Sequence, residues 1–332
     1  MARDAVRFWR NGQPIEVSGF HPRTTFLDYV RLQERRVGTK EGCAEGDCGA
    51  CTIALGRVRG GRVHYEPVNA CILLLGQVDG AQVVTVEDLA QTGALHPVQS
   101  AMVAHHGSQC GFCTPGIVMS LFTLYQEAAR PLSREEVNDA LAGNLCRCTG
   151  YRPIVDAALE ACASAPQDAF AQANEATARG LAELADGEDV FIGGDARFFA
   201  APASEASLAS LYARHPDATL VAGCTDVGLW ITKGMAELEK IIWLGRVAGL
   251  DRIEDSAEAL TIGATVTHAE ALTSLAAIDP DLGEIMRRFG SIQVRASGTV
   301  GGNIANGSPI GDLAPALIAL GSRLELRRGE ST

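Results

Sequence analysis

Apolar and polar positions change their period along this chain. In the first 90 residues short, nearly alternating runs dominate. "RDAVRFW" (3–9) and "QPIEV" (13–17) predict two strands around Asn11-Gly12, a strong hairpin signal. "TTFLDYVRLQ" (24–33) predicts a helix capped by Thr24 or Thr25, with Phe26, Leu27, Val30 and Leu32 on its apolar face. "CTIALGRV", "RVHYEPVNACILLL" and "QVVTVEDLA" predict further strands and close this unit near residue 90.

From about residue 97 the period becomes helical. "PVQSAMVAHHG", "TPGIVMSLFTLYQEAA", "SREEVNDALAGN" and "RPIVDAALEACAS" predict four helices, the third opening on a capping-box pair, Ser133 and Glu136. They form a helical unit over 91–162. Residues 163–194, rich in Ala and polar side chains, read as a linker with some helix. From 195 to 332 the pattern is α/β: "TLVAG", "KIIWLG" and "ALTIGATV" are strand-like. The end reads as a glycine-rich turn, a helix and a last strand. The expected fold class is therefore multidomain α+β.

Composition narrows the partners. The chain has 332 residues, 47% hydrophobic and 20% charged, with a net charge of −12. That length suits two or three domains, and that charge disfavours nucleic acid, whose phosphates need clustered Lys and Arg. No apolar run reaches the ~18 residues that span a bilayer. "MARDAVRFWRNGQPIEV" lacks the apolar segment of a signal peptide, so a cytoplasmic protein without membrane contact is expected.

Ten cysteines then need a reason. Tight clusters in a long, apparently intracellular chain point to metal rather than disulfides. Cys43, Cys48, Cys51 and Cys71 read as C-x4-C-x2-C with a fourth ligand 20 residues on, the plant-type [2Fe–2S] spacing. Gly42, Gly46 and Gly49 let the loop wrap a cluster and bring backbone N–H groups to its sulfurs. Zinc, which favours two paired ligand sets, suits this pattern poorly. Cys110 and Cys113 (C-x2-C) with Cys146 and Cys148 (C-x-C) form a second set. Its spacing suits zinc as well as a second cluster. Cys162 and Cys224 stand alone and read as small buried thiols.

In the third unit "TLVAGCTDVG" is a strand entering a small-residue turn, and "GTVGGNIANGSPIGD" is a glycine-rich stretch before the helix "LAPALIALG", which Asp312 is placed to cap. Such loops admit a pyrophosphate, but a tight structural turn explains them equally well. No G-x-G-x-x-G follows a strand, so a Rossmann site is unsupported.

Together these motifs carry a resemblance. "KEGCAEGDCGACT", "HPVQSAMVAHHGSQCGFCTPG" and "NLCRCTGYRPI" resemble the iron–sulfur region of the molybdenum hydroxylases, the family of xanthine dehydrogenase, aldehyde oxidase and carbon monoxide dehydrogenase. "TLVAGCTDVGLWITK" and "RASGTVGGNIANGSPIGDLAPAL" resemble the family's FAD domain. Both iron–sulfur modules and a flavin module on one chain, with no molybdenum module, resemble the small subunits of its bacterial xanthine dehydrogenase branch. The resemblance implies a β-grasp plant-type ferredoxin domain (1–90), a four-helix [2Fe–2S] domain (91–162), a linker (163–194) and part of an FAD-binding domain (195–332). It implies that the second cysteine set also holds a [2Fe–2S] cluster. Leu220, Val221, Ala222, Gly223, Cys224, Thr225, Asp226 and Val227 match the segment that wraps the FAD diphosphate and ribityl. Thr299, Val300, Gly301, Gly302 and Asn303 match a second FAD-contacting turn, and Phe289 and Asp312 match further contacts. Cys224 departs from the family's usual glycine or small polar residue. Past "LELRRGE" the family's flavin domain continues, with further flavin contacts.

The resemblance implies an electron-transfer subunit. Electrons from the molybdenum cofactor of a large partner subunit pass through the helical-domain cluster, the plant-type cluster and FAD to NAD⁺, as hypoxanthine or xanthine becomes urate. The implied assembly is a heterotetramer of two small and two large subunits. No catalytic residue for hydroxylation is expected on this chain. Gln109 matches a residue near the molybdenum pterin, whereas His105 and His106 read as packing or capping residues. The alternatives are the same role in a hydroxylase of aldehydes or other N-heterocycles, and a standalone iron–sulfur carrier.

Overall fold

The computed structural model describes residues 2–90 and 93–329. The expected boundary at residue 91 and the end of the expected last strand at residue 330 lie outside the described residues. Strands β1 (Ala5–Arg10) and β2 (Gln13–Ser18) form the expected hairpin, with Phe8 opposite Ile15. Asn11 (φ 50°) and Gly12 (φ 79°) supply the two left-handed residues of its turn. Helix α1 (Phe26–Asp28) is capped by Thr25, whose hydroxyl accepts from the Asp28 N–H at 3.0 Å. It widens at once into a π-helical turn, Tyr29–Gln33. The expected regular helix is therefore replaced. The extra residue per turn brings Phe26, Leu27, Tyr29 and Val30 inward together, and Leu32, expected on the apolar face, is left 62% exposed. Strands β3 (Thr52–Arg59), β4 (Arg62–Asn69) and β5 (Gln82–Val84) complete a sheet of order β2-β1-β5-β3-β4, with β1 and β5 parallel.

The second unit is built from α2 (Pro97–Ala104), α3 (Thr114–Glu127), α4 (Arg134–Leu141) and α5 (Arg152–Ala161). Ser133 caps α4 in the expected box, its backbone N–H donating to Glu136 at 2.8 Å. Ile117, Met119 and Phe122 of α3 are fully buried and share one apolar core with Ala54, Val63, Tyr65 and Val84 of the sheet. The first two units thus pack through a continuous core.

The expected linker contains a docked helix. Helix α6 (Ala169–Leu184) buries Phe170, Ala178 and Leu181 in that same core. Its Asn174 covers the exposed edge of β4, accepting from the Val63 N–H at 3.0 Å and donating to the Val63 carbonyl at 2.9 Å. An open sheet edge is closed by one side-chain amide. Small residues make this possible: at Gly180 a Cβ would meet the Trp9 ring at 2.6 Å.

The third unit carries β6 (Val190–Gly194), β7 (Arg197–Ala201), α7 (Glu205–Arg214), β8 (Thr219–Val221), α8 (Val227–Thr232) and β9 (Lys240–Trp243). Its sheet has the order β6-β7-β9-β8, with β7, β9 and β8 parallel. The hairpin β10 (Ile253–Asp255) and β11 (Leu260–Ile262) precedes α9 (His268–Ile278), α10 (Pro280–Arg288), α11 (Ile292–Ser297), α12 (Val300–Asn306) and α13 (Leu313–Ala319). The middle of the glycine-rich stretch expected as a turn, Val300–Asn306, is thus helical. Thr299 caps α12, and Gly301 is required because a Cβ there would meet Ala264 at 2.6 Å. Residues 322–327, expected to begin a last strand, are irregular. Phe199, Val221 and Trp243 join the core of the first unit beside Phe8 and Ile72. Among the described residues no helix is long and apolar enough to cross a membrane.

Replacing Asn174 by Leu leaves a buried N–H and C=O unpaired at the β4 edge. The expected cost is about 2–4 kcal/mol, read as a lower urea midpoint for release of α6.

Candidate cluster and flavin sites

The first cysteine loop is held open by backbone conformations that side chains rarely adopt. Ala44, Gly46 and Gly49 have φ of 55°, 87° and 68°. Asn69 at the end of β4 donates to the Gly46 carbonyl at 2.7 Å and ties the loop to the sheet. At Gly42 a Cβ would meet Cys48 Sγ at 2.8 Å, so the chain passes directly over that sulfur. The four thiols fall into two touching pairs, Cys43 with Cys48 and Cys51 with Cys71. Burial pushes the Cys43 thiol up, but N–H groups of Cys48, Glu45 and Asp47 outweigh it and bring the thiol below its ordinary range. The Cys71 thiol is pushed up, first by the Cys51 thiol beside it and then by burial.

The second set also divides in two. Cys113 touches Cys146, and Cys110 touches Cys148. Burial and then the Cys146 thiol push Cys113 up to about 12. Cys113 sits at the N-cap of α3, with Pro115 in the first turn. The Cys146 N–H donates to the Tyr151 hydroxyl at 2.8 Å, and Tyr151 holds a left-handed φ of 66°. His105 stands at the C-cap of α2, where its backbone N–H bonds Ala101, and its imidazole lies 2.6 Å from Glu160. Gln109 donates to the Cys148 carbonyl at 3.2 Å.

The pairing of the thiols bears on which group they fit. A single zinc ion needs its ligands around one point, whereas the two irons of a [2Fe–2S] cluster take two thiolates each. Among the described residues no three Cys, His, Asp or Glu side chains converge on one point. Thiols that stand two and two fit the two thiolates that each iron of a [2Fe–2S] cluster takes. All ten cysteines are free thiols.

The two loops touch through backbone. The Leu145 N–H donates to the Cys48 carbonyl at 3.0 Å. Such an approach needs glycine on both sides. At Gly49 a Cβ would meet Asn144 Nδ2 at 2.6 Å, and at Gly116 it would overlap the Gly49 carbonyl. Asn144 bridges the seam, donating to the Gly49 carbonyl at 3.1 Å and accepting from Ser120 at 2.6 Å. Periodicity carries no signal for Asn144 or for Gln293, which reaches the same seam from α11.

In the third unit the structure gathers most of the flavin-matching residues. A Cβ on Gly223 would overlap the Ser297 carbonyl, one on Gly302 would lie 3.9 Å from Ala222 Cβ, and one on Gly298 would lie 3.4 Å from Thr225 Oγ1. The Phe289 ring lies 4.6 Å from that of His268 at a tilt of 58°, and His268 borders Gly298. The backbone N–H groups of Gly223, Cys224, Thr225 and Asp226 have no acceptor among the described residues. With Cys224 at φ 69° they form a run of free donors of the kind that binds anions. By contrast the N–H groups of Val300, Gly301, Gly302 and Asn303 already bond Val266, Ala264 and Thr299. That segment supports the site rather than offering amides. Asn303 Oδ1 and His268 Nδ1 are buried without partners, open positions that a polar ligand would satisfy. The Asp226 carboxyl, pushed up by burial, makes no hydrogen bond among the described residues. Asp312 stands at the N-cap of α13 but its side chain does not cap it.

Known proteins share these regions. The family model of an FAD binding domain in molybdopterin dehydrogenase matches residues 195–332, and that of a [2Fe-2S] binding domain matches residues 85–159. Xanthine dehydrogenase of Drosophila subobscura is 34% identical over 98% of this chain and 28% of its own length. This chain belongs to the molybdenum hydroxylase family. Among its relatives, aldehyde oxidase of Homo sapiens is 30% identical over 93% of the chain and 27% of its own length. Quinoline 2-oxidoreductase of Pseudomonas putida 86 is 36% identical over 53% of this chain and 96% of its own, with a TM-score of 0.41. The chain spans about 28% of the length of the curated relatives it matches. As in the family, it joins a ferredoxin-like sheet, a helical [2Fe-2S] domain and an FAD-binding α/β domain.

The left-handed Cys224 carries a test. Cys224→Val places a β-branched side chain at positive φ and is expected to cost about 1–2 kcal/mol, with loss of bound FAD on gel filtration. Cys224→Gly, which accepts that φ, is expected to retain FAD.

His268 carries another. Burial, then Arg295, hold its imidazole at about 4, below the usual 6.5. The unfolded chain takes up this proton at a higher pH than the folded one. Stability is therefore full above about pH 6.5 and is lost as pH falls towards 4. His268→Phe is expected to flatten that limb in a series of unfolding midpoints against pH.

Proposed function

We propose that this chain is the electron-transfer part of a xanthine dehydrogenase. In this reading Cys43, Cys48, Cys51 and Cys71 hold one [2Fe–2S] cluster, and Cys110, Cys113, Cys146 and Cys148 hold another. The free amides of Gly223 to Asp226 receive the diphosphate of FAD, flanked by Leu220, Val221, Ala222 and Val227. Thr299, Val300, Gly301, Gly302 and Asn303 shape the opposite wall, with Phe289 and Asp312 as outer contacts. When bound, two one-electron clusters and a two-electron flavin connect an oxidation at molybdenum to NAD⁺.

The observation that carries this reading is the seam. A carbonyl of one cysteine loop and an amide next to the other meet in a hydrogen bond, and the flavin domain packs on the same seam. The chain's own groups contribute position and charge. N–H groups around Cys43 stabilise negative charge on sulfur. Glycines at 49 and 116 let the two loops approach through backbone.

The second cysteine set opens to the surface. Cys110 and Cys148 are exposed, and Phe112, Leu145 and Val103 are 50%, 60% and 67% exposed. An apolar rim around an exposed set suits docking of the large, molybdenum-bearing subunit, with Gln109 at the contact, in a heterotetramer of two small and two large subunits. We place it in the cytoplasm. The xanthine dehydrogenase relative supports xanthine as substrate, whereas the aldehyde oxidase relative supports a sibling hydroxylase with the same wiring. The partner subunit selects between them.

Iron, zinc and flavin analysis with electron paramagnetic resonance tests the reading. About four irons per chain and two distinct reduced [2Fe–2S] signals are expected. Cys146→Ser is expected to abolish one signal and leave the other. Zinc bound at the second set would overturn it. Assay of the chain co-purified with its molybdenum subunit, on xanthine against an aldehyde, decides the substrate.

A further inference from the structure

Helix α11 belongs to the flavin domain, yet its Gln293 is fully buried outside that domain. Gln293 Nε2 lies 3.2 Å from Thr52 Oγ1, 3.2 Å from Ser120 Oγ and 2.9 Å from Asn144 Oδ1. Thr52 belongs to the ferredoxin-like unit, Ser120 and Asn144 to the helical unit. One side-chain amide therefore touches both other domains at once.

The direction of these bonds is determined. The Gly49 carbonyl can only accept, so Asn144 must turn Nδ2 towards it, at 3.1 Å, and present Oδ1 to the seam. Thr52 already donates its hydroxyl proton to the Gly49 carbonyl at 2.7 Å, and Ser120 donates to Asn144 at 2.6 Å. All three groups facing Gln293 are thus acceptors, and Gln293 must present N–H to them. On its other side the fit is tight. A Cβ on Gly143 would overlap Gln293 Oε1, which has no partner among the described residues. A buried acceptor is left unpaired so that the donors can face the seam.

Gly49 lies between Cys48 and Cys51, and Asn144 lies two residues before Cys146. The network therefore grips both cysteine loops beside the Cys48–Leu145 hydrogen bond. The far end of α11 is Ser297, whose carbonyl sits against Gly223 in the run of free amides. We propose that Gln293 is a positioning residue, through which the flavin domain sets the register of the two cysteine loops and hence the contact between their clusters. The inference rests on the reading that both loops carry clusters.

Gln293→Met keeps length and volume but cannot donate. In the cluster-loaded protein it is expected to speed hydrogen exchange of the Leu145 amide about tenfold. It is also expected to change the magnetic splitting between the two reduced cluster signals, with iron content unchanged. Ser120→Ala, in helix α3 and outside both loops, removes one of the three acceptors together with the hydroxyl that donates to Asn144, and is expected to shift both readouts in the same direction by less. It serves where Gln293→Met fails to fold. Wild-type exchange at Leu145 and wild-type splitting in both variants would overturn the proposal, because packing alone survives these substitutions. A wild-type protein lacking one cluster signal would instead overturn the cluster assignment. The Leu145 exchange would still report on Gln293 by itself.

Discussion

The hydrogen bond from the Leu145 amide to the Cys48 carbonyl constrains the rest of the molecule. Two backbones meet there, with no side chain between them. A close backbone contact leaves no room for Cβ atoms, so Gly49, Gly116 and Gly143 are required at the seam. It also cannot tolerate a shift of register, because each loop's cysteines are fixed by their own turns. The shared core of Ile117, Phe122, Tyr65 and Val84 holds the helical unit on the sheet. The polar seam of Asn144, Ser120 and Thr52 fixes where on the sheet it sits. Apolar packing supplies adhesion, and the directional bonds supply registration.

Helix α6 extends the same logic. Its composition is that of a tether, but its length lets Phe170 and Leu181 reach the core that the sheet and the bundle share. Asn174 then finishes the edge of β4. The segment leading to the flavin domain is thus part of the iron–sulfur body. Phe199 against Phe20, and Gly76 beneath the Phe199 ring, continue the packing into the third unit.

What could be read in the sequence was local. The Asn11-Gly12 hairpin and the Ser133 cap each depend on residues a few positions apart, and each stands in the structure as expected. What could not be read depends on distant surfaces. Gln293 meets Asn144 across 149 residues, and Asn174 meets Val63 across 111. Neither residue type nor period marks such pairs. The widening of α1 follows from four side chains competing for one core, which an ideal helical wheel does not represent. The glycines of 298–302 suggested a turn because glycine weakens helices. In place, the backbone of Ala264 lies so close to Gly301 that α12 can form only with glycine there.

The charge of the chain sharpens the last point. A net charge of −12 is an unlikely companion for anionic clusters and a diphosphate if side chains had to neutralise them. Among the described residues no Lys or Arg side chain bonds a cysteine sulfur. In the proposed reading the positive ends of backbone dipoles take that role, at Cys43 through the amides of Cys48, Glu45 and Asp47, and at residues 223–226 through four free N–H groups. Amides are held by the fold, carry no rotamer entropy and cannot swing away to pair with the many surface carboxylates. They also require unusual backbone angles, which explains Ala44, Gly46 and Cys224 at positive φ. A chain that binds anions this way is free to keep an acidic surface. Its binding sites are then specified by where glycine and left-handed residues fall, rather than by where the positive charges are.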